Sequence, residues 1–316
     1  MAGILILGEC FFLDWLPLAI LGLICFDGPK GLVYSGLLMI VAVTFAISPV
    51  NERIGRAVLG CRTATTEEMK KITAAWALVV AAIKQSLDDS TAERFTNVKL
   101  FVSDEKLPNA FALGRNTICV TKGLLNLAGS PLGAAEIAGV LAHEAGHLHF
   151  GDSGRLAIAL TANRLGFISY RILDLLSRIC EAFGRGVLQS GRMFTGSSGI
   201  AGVFITMMAM LVVLVATVFN LAMKVFSYTF QVAANVSLRA VGRNEEFRAD
   251  LFARNIGFGP QLAKFLRQIE ALDSAPRDIW AVLYRTHPST AERIDRLEQE
   301  TASPLLGTAC FDYRAG

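Results

Sequence analysis

Three of the four histidines in this chain fall within His143–His149, and two of them have the spacing of a metal site. His143 and His147 are four positions apart, so on a helix their imidazoles lie one turn apart on the same face. That geometry lets both rings reach one zinc ion. Glu144 would lie beside the metal, where it can activate a water and pass the proton to a leaving amine. The H-E-x-x-H pattern therefore predicts zinc-assisted peptide hydrolysis.

A catalytic zinc needs a third protein ligand, and the sequence leaves two glutamates open for that role. The metzincin extension is absent after His147, and the remaining histidine, His287, precedes a proline. Glu245 and Glu246 are both candidates on a later helix. Glu246 and Asp250 share a helix face, so one could bind zinc while the other accepts a hydrogen bond from a ligating imidazole.

The elements that must hold these residues are predicted to be mainly helical, with a small β-sheet. Capping-box spacing of Thr65 and Glu68 opens one helix, and Gly151 should end the helix that carries the histidines. The predicted elements are a helix over 65–87, strands over Val98–Ser103 and Thr117–Thr121, the histidine helix from about Ser130 to Phe150, and helices opening at Pro260 and Ser289. A short edge strand between Pro108 and Gly114 would complete the sheet.

Long apolar blocks predict a membrane-anchored chain. Apolar residues make up 53% of the sequence and charged residues only 18%, against about 25% charged in ordinary soluble domains. Residues 10–26 and 32–50 form a hairpin around a turn at 27–31, and Met193–Met223 is the longest uncharged stretch. The basic stretch after residue 51 places the N-terminus and the chemistry-bearing segments in the cytoplasm by the positive-inside rule. We read no signal peptide, since no basic residue precedes the first apolar run.

One further apolar segment, Leu156–Phe183, carries arginines at 164, 171 and 178, which form a single stripe on a helix. Such a helix could lie in the membrane interface, or span with its stripe facing protein or water. His147 and Glu246 must lie on the same side of the membrane to share a metal. An even number of crossings must separate them, which favours a span here, unless neither segment crosses.

Composition also excludes some function classes. A net charge of +3 gives no strong field for nucleic-acid phosphates. The apolar content excludes a disordered chain. The six cysteines form no C-x-x-C pair, so neither a disulfide framework nor a thiolate zinc site is predicted.

Together these motifs resemble the HtpX-type membrane zinc metalloproteases, relatives of the CAAX prenyl proteases. The resemblance covers most of the chain and rests on Pro-Asn-Ala-Phe-Ala at 108–112, Thr-Lys-Gly-Leu-Leu at 121–125, His-Glu-Ala-Gly-His at 143–147 with Gly151-Asp152 after it, Glu-Phe-Arg-Ala-Asp at 246–250, and Thr-His-Pro-Ser at 286–289 followed by Glu-Arg-Ile at 292–294. The Arg-rich segment is a departure from the family pattern.

The resemblance implies a gluzincin-type domain joined to about four transmembrane helices, with one Zn²⁺ on His143, His147 and Glu246 and with Glu144 as general base. It favours Glu246 over Glu245, because the family's ligand directly precedes the Phe or Tyr. It implies that substrate backbone pairs with an edge strand, and that His287 approaches the substrate or the oxyanion. The edge-strand residues are Asn109, Ala110, Phe111 and Ala112.

Two functions of different classes follow. The first is an endopeptidase in the cytoplasmic membrane that cuts membrane or misfolded proteins in quality control. The second is a non-proteolytic, zinc-stabilised membrane scaffold or chaperone. Both predict an N-terminal hairpin over 1–50, a soluble domain split between 51–153 and 226–316, and a second hydrophobic pair over 154–225.

Overall fold

The computed structural model describes residues 2–127, 134–194, 200–272 and 290–299. This part of the chain is mostly helical with one small mixed sheet, as the sequence predicts. Its elements are α1 (Ala2–Cys25), α2 (Pro29–Ala46), α3 (Pro49–Val58), β1 (Cys61–Arg62), α4 (Thr66–Ser86), α5 (Asp89–Thr96), β2 (Lys99–Ser103), β3 (Ala110–Leu113), β4 (Thr117–Thr121), α6 (Lys122–Leu127), α7 (Ala134–Phe150), α8 (Asp152–Phe194), α9 (Ile200–Asn255), α10 (Gly259–Leu272) and α11 (Thr290–Gln299).

The chain divides into two compact units. The first comprises Thr44–Ile158 and Leu238–Gly316, and the second comprises Ala2–Val43 and Ala159–Ser237. The sheet and α7 belong to the first unit. The second unit is built from α1, most of α2, the part of α8 from Ala159 onward and the part of α9 up to Ser237.

The sheet of the first unit has the strand order β1-β2-β4-β3. Strands β2 and β4 run parallel, and β3 pairs antiparallel with β4 from Ala110–Val120 to Leu113–Thr117. All five residues of β4 are buried, which explains its uninterrupted run of non-charged residues. Strand β3 therefore lies at one edge of these four strands.

Helix α4 shows why this unit's core forms where it does. The Thr65 hydroxyl accepts a hydrogen bond from the Glu68 N–H, and the Glu68 carboxylate accepts one from the Thr65 N–H, so the predicted capping box is present. The apolar residues of α4 at helical spacing face the core against α7, and they are fully or nearly fully buried. These residues are Ile72, Ala75, Trp76, Val79 and Ile83.

The second unit consists of helices with close backbone approaches. Gly22 of α1 and Gly31 of α2 bring their backbones together, where a Cβ on either glycine would clash. Among the described residues, two segments are long and apolar enough to cross a membrane, Pro29–Ala46 and Gly202–Ala222. A shorter apolar segment, Asp14–Cys25, precedes them. The Arg-striped segment Leu156–Phe183 is not among these candidates, so a four-span topology stays a prediction.

Candidate metal centre

Helices α7 and α9 bring together three side chains that can bind one metal ion. The Nε2 atoms of His143 and His147 are 3.2 Å apart. Glu246 Oε2 lies 3.4 Å from His143 Nε2, and Glu246 Oε1 lies 3.4 Å from His147 Nε2. His143 and Glu246 are buried, and His147 is partly buried. These residues form a cluster of ligand atoms able to hold a metal.

The spacing within this cluster fits a small tetrahedral ion. A metal with ligand bonds of about 2.0–2.1 Å separates its tetrahedral ligand atoms by about 3.3–3.4 Å. The separations of 3.2 and 3.4 Å lie at that value. Two imidazole nitrogens and one carboxylate also form the donor set that zinc takes in catalytic sites, where three protein ligands leave one position open.

A carboxylate stands behind each imidazole and fixes its orientation. Asp250 Oδ1 lies 2.9 Å from His143 Nδ1, and Asp152 Oδ2 lies 3.0 Å from His147 Nδ1. Each ring therefore donates its outer N–H to a carboxylate and keeps Nε2 for the metal. The sequence predicts the role of Asp250. It does not single out Asp152, although Asp152 follows the histidine motif directly after Gly151.

Arginines in turn hold both carboxylates. The buried Arg293 of α11 makes two bonds to Asp250, of 2.8 and 2.6 Å, and its Nη1 lies 3.1 Å from Glu246. Arg155 and Arg248 both bond Asp152. Sequence reasoning missed Arg293, although the Glu-Arg-Ile segment that contains it is part of the resemblance. Arg293, Asp250 and His143 thus form one buried chain behind the cluster. Asp152 links His147 to Arg155 and Arg248, whose side chains are 36% and 35% exposed.

These partners also set the charge of the imidazoles. Burial and Arg293 lower the pKa of His143, but Asp250 and Glu246 outweigh them and raise it overall. Burial likewise lowers the pKa of His147, whereas Asp152 and Glu246 raise it well above its usual value. A metal ligand must be a neutral imidazole, so metal binding has to displace protons from this cluster.

Glu144 lies on the same helix and is buried beside the cluster. Burial raises the pKa of Glu144, and this outweighs the opposing effect of His143 and His147. A raised pKa makes a carboxylate a stronger base. The backbone of Ala112 on β3 lies close enough to the Glu144 carboxylate to lower its pKa, and Ser153 Oγ donates a hydrogen bond to the Ala112 carbonyl at 3.2 Å. The edge strand is therefore held directly against the predicted base.

The remaining candidate residues fall in different places. Glu245 points away from the cluster and pairs with Arg155. His149 packs on Phe252 and Phe95, with ring centroids 5.1 and 6.4 Å away, so it is a packing residue. In the edge segment, Asn109 Oδ1 accepts a hydrogen bond from the N–H of Ala110. The predicted contact of His287 with substrate lies outside the described residues, as does the predicted helix start at Ser130.

The comparisons with known proteins agree with this geometry. The family model described as Peptidase family M48 matches residues 77–301. Curated proteins named "Protease HtpX homolog" are similar to this chain. The protein from Acidiphilium cryptum is 29% identical over 225 residues, which cover 63% of this chain and 66% of that protein. The protein from Campylobacter hominis is 29% identical over 226 residues, which cover 63% of this chain and 68% of that protein. The protein from Ralstonia pickettii is 30% identical over 227 residues, which cover 64% of this chain and 67% of that protein.

The chain thus spans about two thirds of the length of the curated relatives it matches. Among solved structures, S. mikatae Ste24p aligns with 92% of this chain and 62% of its own, at 19% identity and a TM-score of 0.47.

Proposed function

Because the chain belongs to Peptidase family M48, we propose that it is a membrane-anchored zinc endopeptidase that hydrolyses peptide bonds of membrane or misfolded proteins. The observation that carries this proposal is the cluster of two histidine nitrogens and a glutamate at tetrahedral spacing, with a buried carboxylate beside it. This arrangement favours a hydrolytic site over a structural metal, since the described residues supply three protein ligands and leave a coordination position open.

The mechanism assigns one task to each group. His143, His147 and Glu246 would hold the zinc, which when bound would supply the polarisation of the attacking water and the scissile carbonyl. Glu144 takes a proton from the water and delivers it to the leaving amine. The edge strand β3 pairs with the substrate backbone and orients the scissile bond over Glu144. Asp250 and Asp152 keep the two imidazoles in position throughout. His287 donates a hydrogen bond to the developing oxyanion, the role that the resemblance implies for it.

Removal of the base tests the proposal. The Glu144→Gln variant keeps shape and ligands but cannot accept a proton, so casein cleavage by the purified, zinc-loaded full chain should fall by about 10²–10⁴-fold. Bound zinc, measured by mass spectrometry of the metal, should stay at one per chain. Glu67→Gln on the exposed surface of α4 is the matched control and should cleave like the wild type. Cleavage that survives in Glu144→Gln, or that resists a chelator, would refute the mechanism.

The scaffold alternative makes the opposite prediction. If no form cleaves and a partner polypeptide binds the wild type and Glu144→Gln equally, then the metal is structural and the scaffold is favoured. The burial of Glu144 disfavours the scaffold alternative. A structural zinc site uses four protein ligands, and Glu144 is not one of them. Burying its carboxylate therefore costs stability without contributing to a structural site.

We also propose the membrane arrangement. The hairpin α1–α2 and the helices α8 and α9 would supply four spans. The metal centre, the N-terminus and the segments 51–153 and 226–316 would face the cytoplasm. Support comes from the two candidate spans, the basic stretch after residue 51, and the need for an even number of crossings between His147 and Glu246.

A further inference from the structure

Helix α3 exposes its apolar residues and turns its polar residues toward the protein. Val50, Ile54 and Val58 follow a spacing of four residues, so they lie along one face of the helix. Their exposed fractions are 54%, 48% and 79%, and Ala57 on the same face is exposed too. A helix that covers the core of a soluble domain buries its apolar face, so α3 has the reverse arrangement. We call these four residues the α3 apolar face.

The polar side chains on the opposite face of α3 contact the sheet. Glu52 accepts a hydrogen bond from the Thr117 hydroxyl at 2.5 Å and one from the backbone N–H of Arg115 at 3.5 Å. The Arg56 guanidinium lies 4.4 Å from the centre of the Phe101 ring. A rotation of α3 that buried its apolar face against the sheet would break these contacts. The sheet therefore holds the apolar face of the helix outward.

The chain connects α3 directly to a candidate membrane span. Only two residues separate the candidate span Pro29–Ala46 from the start of α3. Between them, the Ser48 hydroxyl donates a hydrogen bond to the Phe45 carbonyl at 2.7 Å and accepts one from the Asn51 N–H at 3.2 Å. The Asn51 side chain donates another to the Ala46 carbonyl at 2.8 Å. The junction is thus a tight turn, and a span that ends at Ala46 would place α3 at the level of the lipid headgroups.

We propose that the α3 apolar face lies in the cytoplasmic surface of the bilayer, with Val50, Ile54 and Val58 at the acyl boundary and Arg53 on the headgroup phosphates. Arg53 is exposed on the flank of this face, and its long side chain can run along an apolar surface to a polar layer. The ten residues of α3 are too few to span a bilayer but enough to lie in its surface. The proposal rests on the membrane arrangement proposed above, because α3 reaches the lipid only if α2 crosses the bilayer.

A protein occupant fits this face less well than lipid does. A stable protein interface buries roughly 800 Å² on each partner, and three partly exposed aliphatic side chains offer far less than that. A second copy of the chain that packed the same face in antiparallel fashion would also bring Arg53 near its own equivalent. A bilayer requires no minimum area from α3, because the span before it already holds the helix at the surface.

This placement has a consequence for the edge strand. Arg115 lies in the turn between β3 and β4, and Thr117 begins β4 opposite Leu113 of β3. Glu52 therefore ties the end of the edge strand to a helix in the membrane surface. Gly114 makes the contact possible, because a Cβ at this position would overlap the Glu52 side chain. The end of the strand proposed to pair with substrate would then lie close to the headgroups.

Fluorescence quenching by spin-labelled lipids tests the proposal. The dye NBD is attached to one cysteine at a time in the full chain, whose native cysteines are replaced by serine, in phosphatidylcholine nanodiscs. Ile54→Cys and Val58→Cys should be quenched at least about twofold by a label near the headgroup. Leu37→Cys, 53% exposed in the candidate span, should be quenched by a label deep in the acyl chains. Lys84→Cys, about 27 Å along α4 from its start, should be quenched by neither label.

The position of α3 and the existence of the span are separated by these sites. Quenching at Leu37→Cys without quenching at Ile54→Cys and Val58→Cys would overturn the proposal and leave the span in place. Blue-shifted emission at the two α3 sites without quenching would assign the face to protein, either a second copy or another segment of this chain, and would overturn it too. No quenching at any site would overturn the proposed membrane arrangement together with the position of α3.

A charge change tests the role of Arg53. Arg53→Glu places a carboxylate against the headgroup phosphates, so it should reduce quenching at Val58→Cys while quenching at Leu37→Cys stays unchanged. Lys84→Glu makes the same charge change on an exposed position of α4 and should leave both signals unchanged. Equal quenching at Val58→Cys with and without Arg53→Glu would refute the contact between Arg53 and the headgroups.

Discussion

At the scale of single residues, the choice between Glu245 and Glu246 shows how the metal centre is specified. The sequence offers two adjacent carboxylates, and neighbouring positions on a helix differ in direction by about 100°. The structure turns Glu246 toward His143 and His147, whereas Glu245 pairs with Arg155. One helical position thus separates a metal ligand from a surface-side ion pair.

The two glutamates should therefore respond differently to the same substitution. Glu246→Gln should weaken zinc binding by more than the roughly 10–100-fold typical of losing a partner behind a ligand. Glu245→Gln should leave zinc affinity close to that of the wild type, since its carboxylate contacts no ligand. Competition with a fluorescent chelator measures both affinities. Equal losses in the two variants would contradict the assignment of the third ligand.

His149 should make folding stability depend on pH. Burial first, and then Arg94 and Arg248, lower the pKa of this ring below its usual value of 6.5. The folded state therefore resists protonation of His149, so its stability is full above pH 6.5 and falls as the pH drops below that value. His149→Leu removes this loss. As the pH is lowered from about 7 to about 5, the Tm of the variant in detergent minus the Tm of the wild type should increase. A difference in Tm that stays constant with pH would show that this ring does not titrate on unfolding.

At the scale of elements, the metal centre depends on how closely α7 and α9 approach each other. Gly146 lies on α7 directly before His147 and between the two histidine ligands in sequence. A Cβ at this position would come within 2.9 Å of the Ala249 Cα on α9. Gly139 makes a similar approach to the backbone of Leu262 on α10. The glycine in the motif is therefore a spacing device, since it lets Glu246 reach both imidazoles.

Gly146→Ala should separate these helices. The added methyl group has backbone atoms in its way, so the variant should lose about 1–3 kcal/mol of stability and bind zinc more weakly. Gly154→Ala on α8 is the matched control, because no atom lies within 4 Å of its added Cβ and alanine favours the helix. Thermal unfolding and zinc competition measure both effects. Equal stability of the two variants would show that α7 and α9 can adjust without cost.

Several elements follow from local sequence, and others do not. Helix α4 and strand β4 have almost the predicted boundaries, because a cap and a short apolar run define them locally. Helix α5 was not predicted, since its eight residues show too little periodicity. The predicted helices around α8 and α9 were too short. Neither helix contains a proline, so both continue through changes of hydropathy that appear as boundaries in the sequence.

The same distinction applies to the metal centre. The i, i+4 histidines lie on one helix, and their pairing is therefore local and predictable. Asp152 and Arg293 act through contacts that depend on the packed fold, and Arg293 comes from a helix about 150 positions further along the chain than His143. The sequence alone does not show which residues from distant segments come into contact in the folded chain, so these two partners could not be predicted from it.

At the scale of the whole molecule, the two units differ in the surface they expose. The first unit buries its apolar residues in a common core with α4, α7 and α10. The candidate span Gly202–Ala222 in the second unit is only 11% buried, and its large side chains are exposed. Exposed apolar surface on that scale is typical of a segment that meets lipid or another protein. The second unit therefore accounts for the high apolar content that the composition reveals.

The proposed topology can be tested with single cysteines in a chain whose native cysteines are replaced by serine. Lys30→Cys in the hairpin turn and Ile200→Cys at the start of α9 should both react with a membrane-impermeant maleimide added outside intact cells, because each follows an odd number of crossings from the cytoplasmic N-terminus. Glu67→Cys on α4 should react only after permeabilisation. If Ile200→Cys is protected like Glu67→Cys, then α8 does not cross the membrane. Helix α9 could then not cross either, since Glu246 must return to the side of His147.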